Sequence, residues 1–184
     1  MHKALIGFDI NEYPEIEIFQ KYFECDFCEY SEDYFNKNIS QYSILVPHLY
    51  LKLTHEHINK ASNLKYIFTP STGTNHLDLK AINNNDINLY CLSDNAEFIS
   101  EISSTAELAW LLILAANRKI LQLNKRVLTE NSWKNNDLRG NQLKNKTIGI
   151  IGFGRLGKMI FNYAKSFDMN ILIYDTDKSS TIGY

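Results

Sequence analysis

The chain has 184 residues, 45% hydrophobic, 22% charged and 12% aromatic, with a formal net charge of -2. That length suits one ordinary domain or two small ones with a buried core, and the composition excludes a disordered, collagen-like or coiled-coil protein. The near-neutral charge excludes a general electrostatic grip on nucleic acid or on an anionic membrane, although a local basic site is still allowed.

The elements follow in chain order. Residues 3–10 read as a strand and 14–22 as a helix with Pro14 in its first turn. A short strand is expected at 25–30, a helix at 31–39 and a buried strand at 42–46. The next helix, 54–61, has Thr54 as N-cap and His57 where a capping box usually has Glu. A strand at 64–68, a short helix at 77–84 and a strand at 87–91 complete the first half. Strands alternating with helices imply βαβ units and a mostly parallel sheet. Residues 99–123 carry one long helical pattern that Ser103, Ser104 or Thr105 would cap. Its segment 106–116 is apolar nearly all round, which marks a helix buried between layers, domains or subunits. Residues 123–145 are polar, with Trp133 and Leu138 as isolated apolar anchors, and read as a loop or arm. Strand 146–151, helix 155–167 and strand 170–174 follow.

The longest apolar run, 108–116, falls short of the about 20 apolar residues a membrane-spanning helix needs, so no membrane segment is expected. Residues 1–10 are too short an apolar stretch for a secretory signal, and Asp9 interrupts them. Three cysteines, Cys25, Cys28 and Cys91, are an odd, low count that reads as reduced and cytoplasmic.

The strongest signal is the run from Thr147 to Gly157, which contains G-x-G-x-x-G as Gly152, Gly154 and Gly157. It follows an apolar strand, opens an amphipathic helix, and is followed by a second strand ending in Asp175, 18 residues after Gly157. That context marks a dinucleotide site. Gly152 allows the tight turn out of the strand, Gly154 lets the backbone approach a pyrophosphate, and Gly157 lets the helix pack on the strand. The N–H groups around Arg155 and Leu156 start the helix and favour an anion. Asp175 is placed to accept from the ribose hydroxyls and would repel a 2′-phosphate; only Lys178 is near, so NAD is favoured over NADP.

With these residues in view, the segment 138–157 resembles the D-isomer-specific 2-hydroxyacid dehydrogenases. So do the stretch 64–79, with its Ser71-Thr72-Gly73-Thr74 turn, and the stretch 104–118, which is similar to the family's long interdomain helix. The resemblance implies a flavodoxin-like parallel-sheet substrate domain at 1–98 followed by the start of a Rossmann NAD-binding domain at 99–184, truncated after its second strand. It implies that Thr72 and Gly73 offer backbone N–H groups to a substrate carboxylate, with Thr72 also touching the cofactor. It implies hydride transfer between NAD and a D-2-hydroxy acid, and a homodimer formed through the cofactor domain, with the helix from Ile99 and the arm around Trp133 as the contact.

The family's catalytic Arg, Glu and His lie beyond the cofactor fingerprint, and no residue of this sequence matches them, so no catalytic residue is assigned. The chain is therefore expected to be an N-terminal portion of a longer enzyme, inactive and poorly packed alone. Pro47 and His48 stand where phosphoglycerate dehydrogenases carry an Arg, which argues against phosphoglycerate; His48 is a candidate substrate contact. The alternative function is a non-catalytic NAD-binding or dimerisation module. A formate- or homocysteine-related NAD enzyme is a weaker option, against which the turn at 71–78 argues. No metal site is expected: Cys25 and Cys28 lack a partner pair, and His55 and His57 point apart on a helix. His76, Glu107 and Trp110 read as structural residues, and Arg118 and Lys119 complement the end of the long helix.

Overall fold

The computed structural model describes residues 2–28, 31–130, 137–181 and 183. The chain folds as two compact units, Met1–Ile99 and Ser100–Tyr184.

The first unit is a five-stranded sheet. Its strands are β1 (Lys3–Ile6), β2 (Glu24–Phe27), β3 (Ile44–Val46), β4 (Tyr66–Thr69) and β5 (Asn88–Cys91), in the order β2-β1-β3-β4-β5 with every pair parallel. That order is the flavodoxin-like one, and it brings all five carboxyl ends to one edge. Helices α1 (Glu32–Asn38), α2 (His55–Lys60) and α3 (Leu79–Asn84) connect the strands. Leu5, Leu45 and Ile67 point to the helical face, where they meet Ile39, Ile58 and Ile82 in a core of residues at most 7% exposed. The opposite face lies under a 3-10 helix at Pro14–Lys21, where Phe68 and Tyr90 stack at 5.0 Å between ring centres. The expected α-helix there is a 3-10 turn with no buried residue, so no packed apolar face draws it into α form.

Local chemistry sets the element ends. The strand expected at 3–10 stops at Ile6, because the Asp9 carboxylate accepts from the Asn11 N–H at 2.8 Å and the chain turns. The strand expected at 25–30 ends at Phe27, and residues 29 and 30 lie outside the described residues. At α2 the His57 imidazole takes the part of Glu in a capping box: its Nδ1 accepts from the Thr54 N–H at 3.2 Å. Tyr42, 1% exposed, donates to Asp26 at 2.7 Å, and Lys3 pairs with the same carboxylate at 2.9 Å.

The stretch read as one helix from 99 to 123 is broken twice. Helix α4 (Ala96–Ser100) ends before residues 101–103, α5 runs Ser104–Asn117, and α6 runs Ile120–Glu130. Lys119 adopts φ +53°, which separates α5 from α6. Residues 123–130 of the segment read as a loop are therefore helix, and α6 carries Ile120, Leu123 and Val127 at helical spacing. Arg126 ties α6 to Asp137 through two bonds of 2.7 and 2.9 Å. Trp133 lies outside the described residues. By length and composition alone the span Ala96–Asn117 would pass for a membrane-crossing helix, with a mean hydropathy of 1.4, although its longest unbroken apolar run is too short for one. The break at 101–103 divides that span in two.

The second unit continues with β6 (Thr147–Ile151), α7 (Arg155–Ser166), β7 (Asn170–Tyr174) and a 3-10 turn at Lys178–Thr181. The two strands pair in parallel, Ile148 opposite Ile171 and Ile150 opposite Ile173. Trp110 of α5, Leu143 and Ala164 of α7 form the core against them. The other face is open: Ile151 is 88% exposed and Leu172 66%.

Two outcomes are expected. Ile67→Ala, at a fully buried central-strand position, lowers stability by about 2–5 kcal/mol in chemical denaturation followed by circular dichroism. The Tyr42 hydroxyl first, then the Lys3 ammonium, hold the Asp26 carboxyl below the usual carboxylate range. A depressed folded-state value means that Asp26 contributes stability at neutral pH and loses it as pH falls through that value. Asp26→Asn therefore narrows the stability difference between neutral and acid pH, read from melts at each pH.

Candidate functional site

The residues singled out in the sequence gather at the carboxyl edge of each sheet, most of them on one turn in each unit. In the second unit the chain leaves β6 at Gly152, whose φ of +91° favours glycine. The Gly152 N–H still donates to the Tyr174 carbonyl at 2.8 Å, so the ladder closes one residue past the strand. Phe153 is fully buried, with its ring edge-on to Phe161. Gly154 is extended and stands at the N-cap of α7. A Cβ at Gly154 would meet nothing within 4 Å, so the space before the loop is open. A Cβ at Gly157 would land on the carbonyl oxygen of Gly152, so the first turn of α7 lies against the loop and only glycine fits. The first-turn N–H groups of a helix lack intrahelical acceptors and sit at the positive end of its dipole; Leu156 and Gly157 are in that turn. The Arg155 guanidinium donates to the Ile102 carbonyl.

Asp175 follows β7 directly. One carboxylate oxygen accepts from the Phe153 N–H, and the other accepts from the Asp177 N–H at 2.8 Å. The Phe153 bond first, then the Asp177 bond, hold the carboxyl below the usual range. The group is thus ionised at neutral pH, half-buried, and fastened to the glycine loop. A cavity of about 910 Å³ runs along β6 and α5, from Ile113 and Ile148 to Gly152, Leu156 and Gly157 of the glycine loop. Its lining is mostly apolar along β6, and the first turn of α7 closes its polar end.

In the first unit β4 ends at Thr69, which is 4% exposed, and Pro70 leads into the turn Ser71-Thr72-Gly73-Thr74. The far side of the loop is pinned by Leu53, whose N–H donates to the His76 carbonyl at 2.8 Å while its carbonyl accepts from Asp78 N–H at 2.8 Å. Asp78 then caps α3 by accepting from Ala81 N–H at 3.0 Å. Inside the turn, carbonyls are taken: Ser71 accepts from Leu92 N–H at 3.2 Å and Thr74 from Leu77 N–H at 2.9 Å. Among the described residues no acceptor meets the N–H of Thr72, Gly73 or Thr74. Unbonded N–H groups on successive residues of a turn are available to an anion. His48 lies past the end of β3, one strand from the turn, in an aromatic row with Phe8 at 5.1 Å and Tyr50 at 4.7 Å. Its Nδ1 accepts from the Tyr50 N–H at 3.2 Å.

The structure also brings in residues that the sequence did not single out for function. Thr69, Ser71 and His76 are joined by hydrogen bonds, and Phe8 and Tyr50 flank His48. Glu107 accepts from the hydroxyl of Ser103, the N-cap residue of α5. Among the described residues no cluster of His, Cys, Asp or Glu is arranged to hold a metal ion.

Comparison with known proteins finds two family models that match the chain. Residues 6–136 match the family model for the catalytic domain of D-isomer specific 2-hydroxyacid dehydrogenases, and residues 110–182 match the model for their NAD binding domain. The D-3-phosphoglycerate dehydrogenase of Methanocaldococcus jannaschii is 36% identical over 139 residues, 76% of this chain and 25% of that protein. The hydroxypyruvate reductase of Thermotoga maritima is 31% identical over 150 residues, 82% of this chain and 47% of that protein. The D-lactate dehydrogenase of Aquifex aeolicus, solved with NAD and lactic acid, shares the fold with a TM-score of 0.81 at 22% identity, over 97% of this chain and 53% of that one. The chain thus spans from about a quarter to about half the length of these relatives. A catalytic-domain match across most of the sequence, joined to an NAD-binding match over its glycine loop, places the chain in the family of D-isomer specific 2-hydroxyacid dehydrogenases.

Proposed function

We propose that this chain supplies the carboxylate-holding turn and the NAD-holding loop of an enzyme that moves hydride between NAD and a D-2-hydroxy acid, yielding the 2-keto acid. The observation that carries the reading is the loop from Gly152 to Gly157 with the ionised Asp175 bonded to it, inside a segment that matches an NAD-binding domain. The residues fit that cofactor. The open space before Gly154 admits a pyrophosphate, the first turn of α7 around Arg155 and Leu156 faces it with N–H donors, and Asp175 keeps lone pairs for ribose hydroxyls. When bound, NAD supplies the hydride acceptor. In the first unit, the N–H groups of Thr72 and Gly73 hold the substrate carboxylate and so orient its second carbon. Thr72 also touches the cofactor. His48, with Phe8 and Tyr50, meets the substrate side chain.

The family's catalytic Arg, Glu and His match no residue of this sequence, so we take these 184 residues to be inactive by themselves. The three free thiols support a reducing, cytoplasmic setting. A second reading, a dimerisation module, is favoured by α5. Leu108, Leu111 and Leu112 share one side of it and are each more than half exposed. A second copy packed on α5 would cover these three leucines.

Binding and assembly test these readings separately. Asp175→Ala weakens NAD binding about tenfold and narrows the preference over NADP, measured by calorimetric titration. Undiminished NAD affinity in that variant removes Asp175 from the site. Purified chain mixed with NADH and glyoxylate or hydroxypyruvate shows no loss of NADH absorbance; measurable turnover overturns the inactivity. Sedimentation equilibrium reports a dimer, and replacing Leu108 and Leu111 with Gln converts it to monomer; an unchanged mass overturns the α5 contact.

A further inference from the structure

The turn at 71–74 is braced from inside by three side chains that hold one another in a fixed direction. The Ser71 hydroxyl donates to the Gly73 carbonyl at 2.7 Å, since a carbonyl only accepts. Its proton is then used, so at the 2.7 Å contact with Thr69 it is the Thr69 hydroxyl that donates to Ser71 Oγ. The Thr69 proton is used in turn, so at 3.3 Å the Thr69 oxygen accepts from the Nε2–H of His76. One sense satisfies every contact: His76 to Thr69 to Ser71 to the Gly73 carbonyl.

We infer that His76, acting through Thr69 and Ser71, is a positioning residue that sets both the shape and the donor strength of the carboxylate-holding turn. The inference rests on the reading of that turn given above. The peptide joining Gly73 to Thr74 receives the end of the relay on its oxygen, and hydrogen bonds in series polarise one another. The N–H on the other side of that peptide belongs to Thr74, and it faces no described acceptor. The Leu92 N–H polarises the Ser71–Thr72 peptide in the same way, and Thr72 also offers a free N–H. Two of the turn's donors are thus strengthened from behind by neutral groups.

The relay has a fixed base. Thr69 is 4% exposed at the end of a central strand, and the His76 backbone is tied to Leu53. Burial lowers the His76 imidazole below its usual range, which keeps it neutral at neutral pH. A neutral imidazole carries one proton, and the relay requires it on Nε2. His76 is thereby distinguished from a side chain that merely fills the loop, for which either tautomer would serve.

The test uses the full chain, isotope-labelled, near neutral pH. Imidazole nitrogen spectra of the ligand-free protein report the tautomer, and titration with oxalate reports carboxylate binding at the amides of Thr72, Gly73 and Thr74. The expected result is Nε2–H at His76 and oxalate-induced shifts at those amides. Thr69→Val and Ser71→Ala each weaken oxalate about tenfold, while Thr69→Ser, which keeps the hydroxyl, restores wild-type affinity. Amide positions away from 69–76 report whether each variant is folded, and Ser71→Ala removes the last link without altering the buried strand. An Nδ1–H tautomer, or a folded Ser71→Ala or Thr69→Val protein that binds oxalate as the wild type does, overturns the relay alone. A wild-type chain with Nε2–H at His76 whose turn amides ignore oxalate overturns the carboxylate reading and, with it, the role assigned to the relay.

Discussion

Backbone N–H groups that leave a parallel sheet have no ladder partner, and every other feature of this chain's two candidate sites follows from how those groups are satisfied. Parallel strands all end at one edge, so the unpaired donors collect there. Buried donors must find acceptors within the protein, while donors at the mouth of a turn are left for a ligand. In the first unit, the carbonyls of 71–74 take bonds from Leu92, Leu77 and Ser71, which fixes the turn and leaves three N–H groups outward. In the second unit, the Asp175 carboxylate takes the Phe153 N–H, which fixes the loop and leaves the first turn of α7 outward.

The two turns solve the same problem with different chemistry. Around 71–74 the internal partners are neutral hydroxyls and an imidazole, so a bound anion meets no opposing charge there. At the glycine loop the internal partner is a carboxylate, which would repel an anion placed beside it but welcomes hydroxyl donors. On the reading proposed above, a phosphate would go to the helix start and a sugar to the acid. The division of labour in a dinucleotide site thus follows from where one negative charge is fastened.

Much of this was legible in the sequence, for identifiable reasons. Strands such as Tyr66–Thr69 and Asn170–Tyr174 are short apolar runs between helical patterns, and their order alone implied parallel pairing. The G-x-G-x-x-G spacing and the distance to Asp175 depend only on counting along the chain. Other features do not. The break between α5 and α6 rests on Lys119 at a positive φ, with no glycine to announce it. Helix α6 was hidden because its apolar residues are interleaved with Gln122, Asn124 and Lys125. The early end of β1 depends on one Asp9 bond, and the tie between His76 and Thr69 on a loop that folds back seven residues. Such contacts are set by three-dimensional approach, which periodicity does not encode.

The register of β6 on β7 has a consequence for how this segment varies. Ile151 lies opposite Tyr174, the Gly152 N–H reaches the Tyr174 carbonyl, and Asp175 therefore arrives opposite Gly152, with its carboxylate within reach of the Phe153 N–H. Side chains alternate faces along a strand, so moving β7 by a single residue would carry the carboxylate to the far side of the sheet. Changes of residue type along α7 leave that alignment intact, whereas a one-residue gain or loss between Gly157 and Asn170 disturbs it. Relatives descended from this sequence are therefore free to drift in composition across α7 but are held to its length.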